Sequence, residues 1–305
     1  MRRREFTATL AALSGGLATG AFPATQTGPG FASPKDALKA PREKLLLTVC
    51  LPTDGKRPDY LAAVDVDPAS SKYGQVVARV AMPTAGDELH HFGWNTCSSC
   101  HGEAGKVRRF LIVPGLKSGR IHIVDALDPA QPKLVKTITA EEIQKKTDLS
   151  APHTVHCLAD GTTMISMLGD AKGDAPGGFL LLDAEFNVAG RWEKDLAGMK
   201  FNYDFWYQPR LNVMVSSEWA APKTYSGGFD PKQVAAGNYG SRLHFWDWKE
   251  RRIAQTIDLG ENGRIPLEVR FLHAPDSPHG FVGAALSSTV WHWYRADGKW
   301  KADQV

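Results

Sequence analysis

A short strand ending in an aspartate returns about every 60 residues, and no other feature of this 305-residue chain restricts its fold as much. It reads DYLAAVDVDP at 59–68, GRIHIVDALDP at 119–129, GGFLLLDAE at 177–185 and SRLHFWDWKE at 241–250. Asp65, Asp125, Asp183 and Asp247 thereby hold equivalent places. Further strand-like runs lie between them: RRFLIVPG, TTMISMLGD, NVMVSSEW, GFVGAALSS and VWHWYRA. Such runs, bounded by Gly, Pro, Asn and Asp, read as strands, and a repeat of this length with about four of them reads as a propeller blade. A sandwich or barrel also alternates but has no long regular period. The expected fold is therefore an all-β β-propeller, with one helical insertion at Thr139–Leu149. The Gly-rich segment 173–178 lacks the Lys-Ser/Thr and the helix of a phosphate cradle and reads as a turn. About four to five blades fit in the chain, which stops at KADQV directly after a strand. A propeller closes by joining its last blade to its first, so the expectation is a C-terminally truncated ring.

The first residues, MRRREFTATLAALSGGLATGAFPA, carry Arg3-Arg4 ahead of a mildly apolar Gly- and Ala-rich run. That is the form of a twin-arginine export signal over residues 1–24, and it leaves 25–305 as one domain. A membrane span needs roughly 20 strongly apolar residues, and neither this run nor any later stretch supplies them. The expected location is periplasmic, where disulfides can persist. Four cysteines (Cys50, Cys97, Cys100, Cys157) are too few for a disulfide scaffold. The formal charge of +3 is scattered, with no basic block interleaved with aromatics, which argues against nucleic acid as a partner.

Chemistry concentrates in HHFGWNTCSSCHG, His90 to Gly102. Cys97-Ser98-Ser99-Cys100-His101 has the spacing of covalent haem attachment, but it runs within ten residues into a strand and lacks the helices a haem needs. A zinc site would want a second pair, which His153-x-x-His156-Cys157 could supply. The two thiols also fit a structural disulfide, a buried pair, or a redox couple in which one lowered pKa yields a nucleophilic thiolate. Adjacent His90 and His91 would point to opposite faces of a strand, but Glu88-Leu89 and Gly93 around them suggest a loop. His90, His91, His153 and His156 form two short clusters, while His122, His244, His273, His279 and His292 stand singly. The four are candidate metal ligands, and imidazole with nearby sulfur suits copper.

The chain resembles the selenium-binding protein family, whose bacterial members include methanethiol oxidases. The resemblance rests on GPGFASPKDALKAPREKLLLTVC, PDYLAAVDVDP, DELHHFGWNTCSSCHG and HTVHCLADGTTMISMLGDAKGDAPGGFLLLD. It continues through YDFWYQPRLNVMVSSEWAAP, YGSRLHFWDWKERRIAQTIDL, IPLEVRFLHAP and GFVGAALSS, covering nearly everything from Gly28 onward. It implies a seven-bladed propeller and copper-dependent oxidation of methanethiol by O2 to formaldehyde, hydrogen sulfide and hydrogen peroxide. Two rivals are a carrier that binds copper, selenium or thiols without turnover, and an interaction scaffold. The residues expected to take part in the reaction are Cys97 and Cys100, with Asp204 and Glu218 as a base or as supports for the ligands. Vertebrate relatives carry a cysteine in the triplet that here reads Tyr73-Gly74-Gln75 and another where Ala284 stands, so the resemblance does not carry over selenium binding through the first of those thiols.

Overall fold

The computed structural model describes residues 30–97 and 105–305, and within them the chain is mostly antiparallel sheet. The leader assigned to residues 1–24 lies outside the described residues, as do Cys100 and His101. Among the described residues, five sheets follow in chain order, each a meander of consecutive strands. The first holds β1 (Leu45–Cys50), β2 (Tyr60–Asp65) and β3 (Val76–Ala81). The second holds β4 (Gly93–Trp94), β5 (Phe110–Pro114), β6 (Ile121–Asp125) and β7 (Lys133–Ile138). The third holds β8 (Leu149–Cys157), β9 (Thr163–Asp170), β10 (Gly178–Leu182) and β11 (Val188–Arg191). The fourth holds β12 (Phe205–Gln208), β13 (Val213–Ser217), β14 (Arg242–Asp247) and β15 (Arg252–Asp258). The fifth holds β16 (Pro266–Phe271), β17 (His279–Ala284), β18 (Thr289–Ala296) and β19 (Lys299–Gln304).

The repeated aspartates close the turns that follow their strands. Asp65 accepts from the Asp67 N–H, Asp125 from Leu127, Asp183 from Glu185 and Asn187, and Asp247 from Glu250. A short carboxylate reaches the backbone two or three residues on, which is why the position takes Asp. A second repeat is hidden in the same strands. In the second sheet Arg120 and His122 both face the buried Asp87, at 2.9 and 3.2 Å, and the other His122 ring nitrogen meets Thr137. In the fourth sheet Arg242 and His244 face the buried Glu218, at 2.8 and 2.9 Å, and His244 meets Thr256. The same Arg-x-His pattern thus ties a buried acid to the third and fourth strands of two sheets.

The second, third and fourth sheets pack against a neighbour on both faces, and the first and fifth on one. Leu111, Val113 and Val124 pack toward Leu61 and Val80 of the first sheet, while their neighbours Ile112, Ile121 and Ile123 pack toward Ile165, Met167 and Leu180 of the third. Met164 and Phe179 turn the other way, onto Phe205, Met214 and Trp246 of the fourth sheet. Val213, Val215 and Phe245 then meet Val269, Phe271 and Trp293 of the fifth. Alternating side chains point to opposite faces, so near-continuous apolar runs such as FLIVP fill two interfaces at once. A succession of meanders stacked face to face is consistent with propeller blades.

Among the described residues, four short α-helices precede or interrupt the sheets: α1 (Pro34–Ala37), α2 (Ala140–Thr147), α3 (Pro222–Tyr225) and α4 (Pro231–Ala235). Of these α2 is the expected insertion, opened by Thr139, whose side chain accepts from the Glu142 N–H, and closed by Asp148 in the left-handed conformation. The segment 173–178 is a turn, as expected, and Gly177 is required there. Its φ is +80° and a Cβ would sit 2.2 Å from the Met167 carbonyl oxygen. No described helix is long and apolar enough to cross a membrane.

Candidate metal centre

The strands that open successive sheets, β4, β8, β12 and β16, carry or adjoin a polar group in an otherwise apolar fold. Strand β8 packs on β4 and β5, and β16 packs on β12 and β13. The loop before β4 holds His90 and His91. Glu88 takes a φ of +53°, Leu89 bridges to Gly115, and the His90 N–H donates to the Pro114 carbonyl at 3.2 Å. This bend lifts the alternation that would have parted the two histidines. At Gly93 a Cβ would meet the Val155 carbonyl at 2.9 Å, so only glycine lets β4 lie this close to β8. On β8, Ala151 has a φ of +55° and the register slips between Pro152 and Val155, with the Thr154 N–H donating to the Ser166 hydroxyl instead of the ladder. That bulge re-aims His153.

Three histidines converge as a result. The ring centres of His90 and His91 are 5.0 Å apart, of His90 and His153 4.9 Å, and of His91 and His153 4.3 Å. One nitrogen from each lies within 4.8 Å of the others. Small ring rotations would bring them to the roughly 2.0–2.1 Å nitrogen–metal distances of an imidazole-bound ion.

The hydrogen bonds around His153 select its tautomer. Thr154 donates its single hydroxyl proton to Asp204 at 2.6 Å, so its oxygen can only accept from His153 Nδ1–H, 3.0 Å away. Nε2 then carries the lone pair, and it is buried without a hydrogen-bond partner. Burial, with the neighbouring His91 and His90 rings, holds the His153 pKa well below the usual imidazole range, so the neutral ligand form prevails. A fully buried, neutral imidazole with its free nitrogen fixed by a carboxylate-backed hydroxyl is a metal-ready donor. Burial and His91 likewise lower His90.

Glu268 and Arg270 on β16 complete the surroundings. Glu268 Oε1 is 3.3 Å from His91 Nε2, and Arg270 bridges Glu268 at 2.7 Å and Asp204 at 2.5 Å. Burial raises the Glu268 carboxyl, but the hydrogen bond to His91 and the charge of Arg270 outweigh it and leave the pKa below the usual range. Asp204 is fully buried, and its pKa is pushed up to about 6 by burial and by the Glu268 charge, against the opposing pull of Arg270, Thr154 and the Val269 N–H. Tyr203 packs its ring on His153 at 4.2 Å.

His156 does not join the three. Its Nε2 lies 3.0 Å from the Phe205 carbonyl, to which it donates, and its ring sits among Phe205, Trp206 and Tyr207. Burial and the Arg270 charge lower its pKa to about 4. Because the folded value lies below the unfolded one near 6.5, stability is full above pH 6.5 and is lost as pH falls toward 4. A His156→Gln variant is expected to remove the share of that slope due to His156, on the order of 3 kcal/mol across the window. Urea unfolding of both proteins at pH 7 and pH 4.5 checks it, and parallel pH profiles would refute it.

Glu218 is not among the three-histidine group and is engaged by its own neighbours. It accepts from Arg242, His244 and the N–H groups of Lys200 and Phe201, a set that makes it a strut between strands. Cys97 is half-buried, at the end of the described part of its loop. Sequence reasoning missed Thr154, Glu268 and Arg270. The alternation of charge in LEVRF, within a strand otherwise suited to a core, was the available signal for the last two.

A family model described as 56 kDa selenium-binding protein matches residues 25–305. A methanethiol oxidase of Xenopus laevis is 54% identical over 283 residues, which span 91% of this chain and 60% of the relative. The human methanethiol oxidase is 52% identical with the same coverage, and selenium-binding protein 2 of Arabidopsis thaliana is 51% identical over 92% of this chain and 58% of its own. Among solved structures, a hypothetical selenium-binding protein from Sulfolobus tokodaii superposes with a TM-score of 0.85 at 43% identity, covering 92% of this chain and 63% of the other. A periplasmic gluconolactonase of Pseudomonas aeruginosa, 10% identical with a TM-score of 0.53 over 86% of this chain and 66% of its own, shares the fold alone. The chain thus spans about 60% of the length of the relatives it matches.

Proposed function

Because the chain belongs to the 56 kDa selenium-binding protein family, we propose that His90, His91 and His153 hold copper and that the whole protein oxidises methanethiol. The reaction takes methanethiol, O2 and water to formaldehyde, hydrogen sulfide and hydrogen peroxide. The five sheets are then five blades of a seven-bladed ring, and the site lies on the strands that open four of them. The single observation that carries the metal reading is the buried, unpartnered Nε2 of His153, whose tautomer is fixed from behind by Thr154 and Asp204.

When bound, copper would supply a soft acceptor for the substrate sulfur and a route for electrons to O2. The protein's own groups do the rest. Glu268, ionised and 3.3 Å from His91, is the base placed to take a proton from the thiol or its activated carbon. Arg270 holds Glu268 and Asp204 in place, and Tyr203 covers the His153 ring against water. Asp204 serves as a positioning residue, since every partner it has is already engaged. Cys97 and Cys100 remain candidates for a thiol relay. The Arg3-Arg4 leader supports export of the folded protein to the periplasm.

The test is oxygen uptake by purified protein carrying stoichiometric copper and supplied with methanethiol. Uptake with peroxide and sulfide release is expected, together with loss of copper in His153→Ala. Copper retention without any uptake would leave the carrier reading in its place.

A further inference from the structure

A cavity of about 280 Å³ opens beside the three histidines, and its walls are aromatic. His90 and Tyr203 form the end nearest the metal centre, and Trp219, Tyr225 and Tyr239 line the remainder, with Glu88 among them. Tyr203 meets Trp219 edge to face at 5.3 Å, and Trp219 stacks on Tyr225 at 4.2 Å, so the rings form one continuous wall leading away from His153. Among the described residues, no lysine or arginine lines the space. Glu88, the only carboxylate there, makes no ion pair among the described residues. Its φ of +53° is a conformation a glutamate rarely adopts, held by Leu116, whose N–H donates to the Glu88 carbonyl at 3.0 Å. Burial, and to a lesser extent the Glu88 charge, pushes the Tyr225 hydroxyl well above its usual range, so the tyrosine stays neutral.

Methanethiol has two heavy atoms and would leave most of this volume empty. Electron-rich ring faces and an uncompensated carboxylate attract a cation whose surface is itself apolar, which is the chemistry of alkylammonium recognition. We propose that this cavity binds a small alkylammonium group. Resting on the oxidase reading, the corresponding substrate class is short thiols that carry such a group, with sulfur toward His90 and His153 and the ammonium against Trp219, Tyr225 and Glu88.

Calorimetric titration of metal-free full-length chain with choline and with its neutral isostere 3,3-dimethylbutan-1-ol tests the cavity without any turnover. Choline is expected to bind about tenfold more tightly than the isostere. Glu88→Gln, an exposed and conservative change, should remove most of that preference while leaving the isostere unaffected. Trp219→Leu, checked for an unchanged melting temperature, should weaken choline several-fold. Equal affinity for the two probes, or a choline affinity indifferent to Glu88→Gln, would overturn the proposal. Because the titration contains neither copper nor thiol, its failure is separate from a failure of methanethiol oxidation, and each can occur without the other.

Discussion

Replacing Asp204 with alanine is expected to lower stability by about 1–3 kcal/mol and to weaken metal binding by roughly ten- to a hundredfold. Asp204 is fully buried and accepts from Thr154, Arg270 and the Val269 N–H. Removing it leaves the buried Val269 N–H without its acceptor, while Arg270, which is partly exposed, keeps its pairing with Glu268. The loss of metal affinity has a different origin. Without the carboxylate, the Thr154 hydroxyl is free to donate to His153 Nδ1, which moves the ring proton to Nε2 and blocks the ligand nitrogen. Asp204→Asn separates the two effects, since its amide can keep the backbone contact but also donate to Thr154. Chemical unfolding measures the first effect and copper titration the second; a variant that unfolds early yet binds copper as tightly as the parent would refute the tautomer argument.

The second large effect lies far from the site. Trp293 on β18 is fully buried between the fourth and fifth sheets, edge-on to Phe271 at 4.6 Å and to Phe245 at 5.8 Å, with Trp300 5.9 Å away. Its ring lies over Gly280 of β17, where a Cβ would come within 2.0 Å of it. Trp293→Ala empties the centre of that interface and is expected to cost about 3–5 kcal/mol. In a chain of this size the melting temperature should fall by on the order of 10 °C. Trp293→Phe should recover much of the loss, because Phe271 and Phe245 keep an aromatic partner. A decrease below about 1 kcal/mol for alanine would mean that the interface collapses onto the gap, contrary to the close packing described.

The sheets were legible because buried faces leave a strong mark: apolar runs of strand length, punctuated by an aspartate that must reach two residues forward to close a turn. The helix within Thr139–Leu149 was legible as an interruption of the strand pattern. The metal group was legible only in part. His90 and His91 announce themselves as a pair, and the glycine after them signals the loop that lets both turn inward. Nothing local distinguishes His153 from His156, which stand three apart on one strand. The bulge that separates their fates arises from pairing with β9, and pairing across strands is written nowhere in a single segment. The surroundings of Glu218 were hidden for a related reason. As a lone acid beside aromatics it looks reactive, and only the fold brings Arg242 and His244, 24 and 26 residues on, to saturate it. Glu268 was passed over because its partner His91 is more than 170 residues away in the chain.

The central claim is that His90, His91 and His153 bind one copper ion together. Electron paramagnetic resonance of the Cu(II)-loaded full-length chain, with hyperfine analysis that counts coordinated imidazoles, addresses it most directly. The account predicts three imidazoles in the parent and in His156→Gln, and two in His153→Ala with weakened binding. Two or fewer imidazoles in the parent, or a spectrum unchanged by His153→Ala, would contradict it.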